Sequence, residues 1–305
     1  MEKQIVIELS EKFRKGLINR RDFIQKVILS TGSVVAAGHT LSQMGFEVGL
    51  IQEAKAQGGG DIIIEEVTYP SANQMIRGYL AKPAQGGPFP TMIVIHEIFG
   101  LSDFIKDVAR LFARRGYLAL APCLSEGNCA DDLPDGKHAQ WMLDTLQSGE
   151  ARVPLDEQDK LIAGFNWLAQ RSDVDPTHIG SVGFCWGGAR SFTLATRLEN
   201  LWTALVFYGS TPPLAELDTI KAPVLALYGG LDNASPTSIT GRAAETARAM
   251  RDAKTGPKIF EWEIYNQAPH GFFADRETKT VAVTRAALIA KDLMFDFLDR
   301  QYDRP

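Results

Sequence analysis

The hexapeptide Gly-Phe-Cys-Trp-Gly-Gly at residues 183–188 constrains the fold of this chain more than any other stretch. It follows a strand-like run at 178–182 and precedes a helix-like run at 189–198. A glycine-flanked nucleophile between a strand and a helix predicts a nucleophile elbow, in which cysteine replaces the usual serine. The flanking residues must be small, because side chains there would collide with the crossing strand and helix. The alternative is a glycine-rich turn around a buried free cysteine that behaves as a small hydrophobic residue.

From residue 57 onward, short β-rich runs alternate with longer helical runs. Such alternation predicts a mostly parallel sheet flanked by helices, and together with the elbow it predicts an α/β-hydrolase fold. We expect one domain over residues 57–305. The predicted strands are 62–67, 76–82, 91–96, 117–121, 178–182, 204–208, 224–228 and 259–265. The predicted helices are 103–115, 157–171, 189–198, 237–253 and 280–301.

Two residues downstream of Cys185 fit the other members of a catalytic triad. In α/β-hydrolases the nucleophile, the acid and the histidine follow one another in chain order, each after a later strand. Asp232 follows the strand at 224–228, and His270 follows the strand at 259–265. An aspartate in such a loop more often caps a turn, and a lone loop histidine is often without function. Because all three stand in the right order and place, we predict a Cys185–Asp232–His270 triad.

The roles of the triad follow from residue type. His270 takes the proton of Cys185 and keeps the thiolate available, while Asp232 orients the imidazole and stabilises its charged form. Two backbone N–H groups are expected to stabilise the oxyanion that forms on the substrate. One is that of Trp186, directly after the nucleophile, and the other is that of Ile98, in the loop after the strand at 91–96.

The charge and residue content exclude several functions. The chain carries a formal net charge of −5 and no lysine run, so its surface would repel a phosphate backbone, and we expect no nucleic-acid partner. The sequence contains neither a C-x-x-C pair nor a histidine cluster, and we predict no metal ion and no cofactor. The predicted partner is therefore a small-molecule substrate.

Residues 1–56 are interpreted as an export signal and linker. The run at residues 19–26, which contains Arg20 and Arg21, resembles a twin-arginine signal and is followed by a weakly apolar stretch at 27–37. That stretch is too short and polar for a stable membrane span. Ala-Lys-Ala at 54–56 fits a signal peptidase site, which predicts cleavage before Gln57. We therefore expect the precursor to be exported by the twin-arginine export machinery and the protein to be periplasmic or secreted. The alternative is an amphipathic helix that stays on a cytoplasmic protein.

The three cysteines take on different roles if the protein is exported. Cys123 and Cys129 are close enough in sequence to form a disulfide, which an oxidising compartment permits, although spacing alone leaves this open. Cys185 then remains as a free thiol.

The loop after the strand at 91–96 reads His-Glu-Ile-Phe-Gly at residues 96–100. Together with the elbow, the Asp232 loop and the late His-Gly-Phe at 270–272, it makes the chain resemble the dienelactone hydrolases (carboxymethylenebutenolidases) from about residue 64 to its end. The resemblance implies the same triad. It also implies that Glu97 sits beside the resting thiol and moves aside when substrate enters; the alternative is a structural carboxylate that satisfies loop N–H groups. His96 is interpreted as a packing residue at the strand end.

The substrate pocket departs from the better-known family pattern. Dienelactone hydrolases hold the substrate carboxylate with two arginines, one about four residues after the histidine, where this chain has Ala274. Arg276 is the nearest arginine, and Arg152 is a candidate for the second. Segment 123–153 is predicted to form a lid or pocket wall. Three aromatic side chains could line the pocket, although aromatic residues beside an elbow more often pack in the core: Phe99, Trp186 and Tyr208.

The sequence therefore predicts hydrolysis of a lactone or small ester through a Cys185 thioester. A broad-specificity carboxylesterase of the same fold is the first alternative, which the missing arginine favours. A thiol redox protein is a second alternative, but no resolving cysteine stands near Cys185 in the sequence. A binding protein that has lost catalysis is a third, and the intact triad argues against it.

Overall fold

The architecture comes from a computed structural model. Most of the predicted α/β domain is described, whereas the predicted signal (apart from three of its residues), Arg152, Arg276 and most of the predicted lid lie outside the described residues. The described residues are 62–125, 129, 157–232, 240–274 and 280–302, with 8, 9 and 12 near the amino terminus.

In the described part of the chain, eight strands form a single sheet in the order β1-β2-β4-β3-β5-β6-β7-β8. Strands β3 to β8 run parallel, while β1 and β2 form an antiparallel hairpin that pairs with β4 at one side. The predicted α/β-hydrolase fold with its mostly parallel sheet is thereby confirmed. The strands are β1 Ile62–Ser71, β2 Gln74–Pro83, β3 Phe89–Ile95, β4 Leu118–Pro122, β5 Val174–Phe184, β6 Ala204–Phe207, β7 Val224–Gly229 and β8 Phe260–Tyr265.

The central strands are apolar on both faces because helices cover both sides of the sheet. In β4, Leu118 and Leu120 belong to one hydrophobic cluster, whereas Ala119 and Ala121 belong to the other. Successive side chains of a strand point to opposite faces, so each central strand contributes to two cores. This double burial explains why these runs lack the polar alternation of a half-exposed strand.

Five α-helices flank the sheet in the described residues. The first and last pack on one face, and the other three pack on the opposite face. None of these helices combines the length and the apolar character needed to cross a bilayer. The helices are α1 Asp103–Arg114, α2 Glu157–Ala169, α3 Trp186–Arg197, α4 Thr240–Arg251 and α5 Val281–Tyr302, and a 3-10 helix spans Leu214–Thr219.

Helix α3 begins three residues earlier than its sequence predicts. Glycines are poor helix formers, so the predicted start lay beyond Gly187 and Gly188. In the fold both glycines belong to the first turn of the helix. Glycine is required at residue 187 because a Cβ there would collide with the backbone oxygens of Ile95 and His96. Close packing of helix against strand has priority there over helix propensity.

Cys123 lies directly after β4 and forms a disulfide with Cys129. The structure thus contains the pairing that the sequence spacing left open. Among the described residues Cys185 is the free cysteine.

Candidate active site

The backbone at Cys185 has the geometry of a nucleophile elbow. Its φ of 56° and ψ of −118° lie in a region that non-glycine residues rarely adopt, at a cost of about 1–3 kcal/mol. The strand-to-helix turn is fixed by a 3.0 Å hydrogen bond from the Cys185 N–H to the Phe207 carbonyl of β6. A Cβ at Gly183 would meet the backbone of Gly187, so the turn cannot close with a larger residue. The thiol therefore sits, half-buried, at the carboxyl end of β5 and the N-terminus of α3.

Asp232 and His270 come together at the same edge of the sheet. Asp232 follows β7 and is 3% exposed, and its Oδ2 lies 2.7 Å from Nδ1 of His270, which follows β8. Two backbone hydrogen bonds join the loops that carry these residues. They run from Gly230 N–H to the Tyr265 carbonyl (2.9 Å) and from Leu231 N–H to the Ala268 carbonyl (3.0 Å). The aspartate is thereby held where it orients the imidazole.

The protonation of His270 depends on its two partners. Burial disfavours the charged imidazolium, but the hydrogen bonds and negative charges of Asp232 and Cys185 outweigh it and raise the pKa of His270 to about 10. The imidazole is therefore protonated at neutral pH. A protonated imidazole that is hydrogen-bonded to a thiol on one side and a carboxylate on the other can hold a thiolate and later deliver a proton.

This arrangement predicts an unusual pH dependence for alkylation of Cys185 by iodoacetamide. Because the pKa of His270 is raised to about 10, the charged imidazolium faces the thiol throughout the neutral range, and the wild-type rate constant at pH 7 should exceed that of His270→Asn. In His270→Asn the rate constant should rise with pH as for an ordinary thiol, with a pKa of about 8.5. Mass spectrometry of the Cys185 peptide provides the rates. A wild-type profile that rises like that of a free thiol would exclude the ion pair.

The predicted oxyanion donors belong to two segments, the first turn of α3 and the loop after β3. Trp186 is the first residue of α3, where backbone N–H groups have no acceptor within the helix. Ile98 lies in the loop after β3, which turns through a 3.2 Å hydrogen bond from Gly100 N–H to the Glu97 carbonyl. Glu97 is buried, with 3% of its surface exposed. The register pairs Ile95 of β3 with Gly183 of β5, so this loop and the elbow leave the sheet side by side.

The predicted pocket aromatics occupy different environments. Phe99 is 37% exposed, whereas Trp186 is buried. Tyr208 follows β6 with a φ of 41° and is buried, and its ring packs edge-on against His270 at 5.1 Å between centroids. Tyr208 therefore contacts the imidazole itself. Arg276 lies outside the described residues.

Sequence reasoning missed one charged side chain beside the elbow. The guanidinium of Arg190 lies 4.4 Å from the centre of the Trp186 indole ring and donates a 2.7 Å hydrogen bond to Glu157 at the start of α2. The available signal was the spacing of four residues between Trp186 and Arg190, which places both on one helix face. Within the described residues, no group of three or more metal-binding side chains is arranged to hold an ion.

This chain is similar to several known proteins. The family described as the dienelactone hydrolase family matches residues 76–302. A Methylorubrum extorquens protein assigned the name carboxymethylenebutenolidase is 33% identical over 236 residues, covering 73% of this chain and 77% of that protein. One from Escherichia coli O157:H7 with the same assigned name is 35% identical and covers 70% and 79%. A crystal structure from Klebsiella pneumoniae, assigned as a dienelactone hydrolase, superimposes with a TM-score of 0.65 at 29% identity, covering 79% of this chain and 99% of that one.

Proposed function

The chain belongs to the dienelactone hydrolase family and is a hydrolase, and on that premise we propose that it cleaves a lactone or small ester through a Cys185–His270–Asp232 triad. One observation carries the proposal. His270 is hydrogen-bonded to both Asp232 and Cys185, and Cys185 lies on a strained turn at a helix N-terminus. This is the arrangement that a cysteine nucleophile needs, because its base must contact the thiol and must itself be oriented.

Acylation begins with the Cys185 thiolate, which the His270 imidazolium stabilises. The sulfur attacks the carbonyl carbon, a C–S bond forms, and the carbonyl oxygen becomes an oxyanion that the N–H groups of Ile98 and Trp186 stabilise. As the C–O bond to the leaving oxygen breaks, His270 gives that oxygen its proton. In a lactone the leaving oxygen stays attached through the ring, so the product of this step is a thioester of the opened chain.

Deacylation runs the same groups in reverse. His270, now neutral, takes a proton from water as the water oxygen attacks the thioester carbon. The C–S bond breaks, the carboxylic acid leaves, and the thiolate–imidazolium pair is restored. Asp232 keeps the imidazole in one orientation throughout and does not itself take the proton.

The cysteine and the missing arginine bear on the class of substrate. A thiol nucleophile suits activated esters such as enol-lactones, in which the leaving oxygen departs easily. Four residues after His270 stands Ala274, whose methyl side chain is buried. Its backbone N–H donates a 2.8 Å hydrogen bond to the Gly271 carbonyl. That position cannot bind a substrate carboxylate, which favours the alternative of a broad carboxylesterase acting on neutral esters.

One comparison distinguishes these two functions. A dienelactone and a neutral p-nitrophenyl ester are hydrolysed in parallel by the wild type and by Cys185→Ala. Cys185-dependent loss of the dienelactone supports the lactone hydrolase, and activity on the neutral ester alone supports the carboxylesterase. A wild type that hydrolyses neither would contradict both.

We propose that Glu97 gates the thiol, as the resemblance to the family implies. A like charge beside the thiol disfavours the thiolate, so Glu97→Gln should increase the rate of Cys185 alkylation, by up to about tenfold, with a smaller effect on the thermal unfolding midpoint. The rate is measured with iodoacetamide across pH. An unchanged rate and pH profile would leave Glu97 as a structural carboxylate.

We also propose that residues 1–56 carry a twin-arginine export signal. The Cys123–Cys129 disulfide supports export, since disulfides persist mainly in oxidising compartments. Replacing Arg20 and Arg21 by lysine should leave the precursor inside the cell, measured by fractionation and immunoblotting. Normal export of this double variant would refute the proposed signal.

A further inference from the structure

His96 is fully buried at the end of β3, two residues before the predicted oxyanion donor Ile98, and makes hydrogen bonds through both ring nitrogens. Its Nε2 lies 3.2 Å from the backbone N–H of Leu124, and its Nδ1 lies 2.6 Å from the carbonyl oxygen of Glu97. Because a backbone N–H can only donate, Nε2 must accept, and the ring proton is therefore on Nδ1 and is donated to Glu97. His96 thus has a fixed tautomer and a fixed ring orientation.

The carbonyl that His96 holds belongs to the peptide group that supplies one oxyanion donor. The Glu97 C=O and the Ile98 N–H share one planar peptide unit, in which the two bonds point in opposite directions. Fixing the oxygen therefore aims the N–H. The same oxygen also accepts a hydrogen bond from Gly100 N–H at 3.2 Å, so both of its lone pairs are engaged.

The ring of His96 also contacts the residue that supplies the other donor. It stacks on the Trp186 indole with 5.4 Å between centroids and 14° between planes. Just beyond Trp186, a Cβ on Gly187 would collide with the His96 carbonyl, so the strand end and the first turn of α3 are in direct contact. One side chain therefore touches the elements that carry both donors.

The second hydrogen bond of His96 connects it to a disulfide. Leu124 lies in the loop that the Cys123–Cys129 disulfide closes. Its carbonyl accepts a 3.4 Å hydrogen bond from Nζ of the buried Lys160, and the preceding Cys123 N–H bonds to the Arg77 carbonyl of β2 at 2.8 Å. The N–H that orients His96 is thus fixed by covalent and hydrogen-bonded neighbours.

We propose that His96 is a positioning residue that aims both oxyanion donors, and that the Cys123–Cys129 disulfide holds His96 in place through Leu124. The proposal rests on the proposed function, because it concerns the oxyanion of the acylation step. It differs from the packing role that the sequence predicts for His96. A packing residue needs only the volume of the ring, whereas a positioning residue needs its hydrogen bonds.

Three variants of His96 separate volume from hydrogen bonding. His96→Phe keeps a ring against Trp186 and removes both hydrogen bonds. His96→Asn places an amide N–H near the position of Nδ1 and preserves the bond to Glu97, while His96→Gln places an amide oxygen near Nε2 and preserves only the bond to Leu124. For each protein two second-order rate constants are measured on Cys185: acylation by p-nitrophenyl acetate in a single turnover, and alkylation by iodoacetamide.

The ratio of acylation to alkylation is the informative quantity, because only acylation passes through an oxyanion. Removal of one such donor typically costs ~10²–10³ in rate, and a small misplacement can cost ~10²-fold. The ratio should fall about 10- to 100-fold in His96→Phe and about tenfold in His96→Gln, and only about threefold in His96→Asn, which keeps the bond to Glu97 but loses the bond to Leu124 and the stacked ring. Equal ratios in all four proteins would overturn the proposal, as would equal losses in Asn and Gln. If His96→Phe fails to fold, the comparison of Asn with Gln still decides.

The disulfide is tested by reduction with a phosphine. The phosphine takes an oxygen from water to become its oxide, and the S–S bond becomes two thiols, so electrons and protons balance. With reduction verified by mass spectrometry, the ratio at Cys185 should fall by up to about threefold, as in His96→Asn, because both changes act on the bond between Leu124 and His96. An unchanged ratio would overturn the role of the disulfide.

Failure of the proposed function would look different from either of these outcomes. It would leave wild-type Cys185 acylated without release of acid, while the ratio would still report on His96.

Discussion

Replacing Cys185 by alanine is expected to abolish hydrolysis of lactones and esters, with a loss in kcat on the order of 10⁴- to 10⁶-fold. Without the sulfur no C–S bond to the acyl group forms, and no other described thiol can substitute, since Cys123 and Cys129 are joined in a disulfide. Alanine tolerates the positive φ at this position about as poorly as cysteine does, so we expect the fold to be retained. Initial rates at saturating substrate measure the effect.

The control for this variant is its own stability. Circular dichroism and the thermal unfolding midpoint should match the wild type, because a half-buried thiol contributes little packing volume. Residual activity above about one percent in a correctly folded Cys185→Ala protein would remove the cysteine from the mechanism and leave an attacking water as the nucleophile.

Replacing His270 by asparagine is expected to reduce kcat by about 10³-fold or more. The amide nitrogen of asparagine lies near the position of Nδ1, so the hydrogen bond to Asp232 can persist. The group that faces Cys185 is lost, however, and with it both the proton donor of acylation and the base of deacylation. The variant therefore removes proton transfer with little disturbance of the buried carboxylate.

His178 provides a matched control. Its Nδ1 lies 2.7 Å from Oδ2 of Asp175, the same separation as in the pair of His270 with Asp232, and its side chain is similarly exposed, at 23% against 28%. It lies six residues before the end of β5, roughly 20 Å from the elbow along the strand. His178→Asn should keep wild-type activity. Equal losses in the two variants would mean that the effect comes from a broken ion pair and not from catalysis.

Much of the scaffold could be predicted because its signals are local. Apolar runs of four to seven residues mark strands buried on both faces, and all eight predicted strands lie wholly within observed ones or extend past them by one residue. The elbow could be predicted because a strained turn between strand and helix requires glycine at fixed positions. Asp232 and His270 could be predicted because parallel strands bring their carboxyl ends to one edge of the sheet.

The role of His96 could not be predicted in the same way. The residue stands next to Glu97 in a recognised loop, yet its function depends on Leu124, 28 positions away, and on the ring of Trp186, 90 positions away. Arg190 was missed for a similar reason, since its carboxylate partner Glu157 belongs to another helix. A histidine at a strand end gives no sequence signal that distinguishes packing from two directed hydrogen bonds.

The sequence by itself determined the alternation of strands and helices, the elbow at Cys185 and the chain order of the predicted triad. Periodicity and glycine placement can be recognised within a few residues of sequence. The order of the triad could be predicted because α/β-hydrolases place nucleophile, acid and histidine after successive strands. The tertiary structure alone decided that Cys123 pairs with Cys129, that Asp232 bonds to His270 at 2.7 Å, and that His96 joins Glu97 to Leu124. Hydrogen bonds and disulfides require separations set to a fraction of an ångström, and only the packing of the whole sheet and its helices fixes those separations.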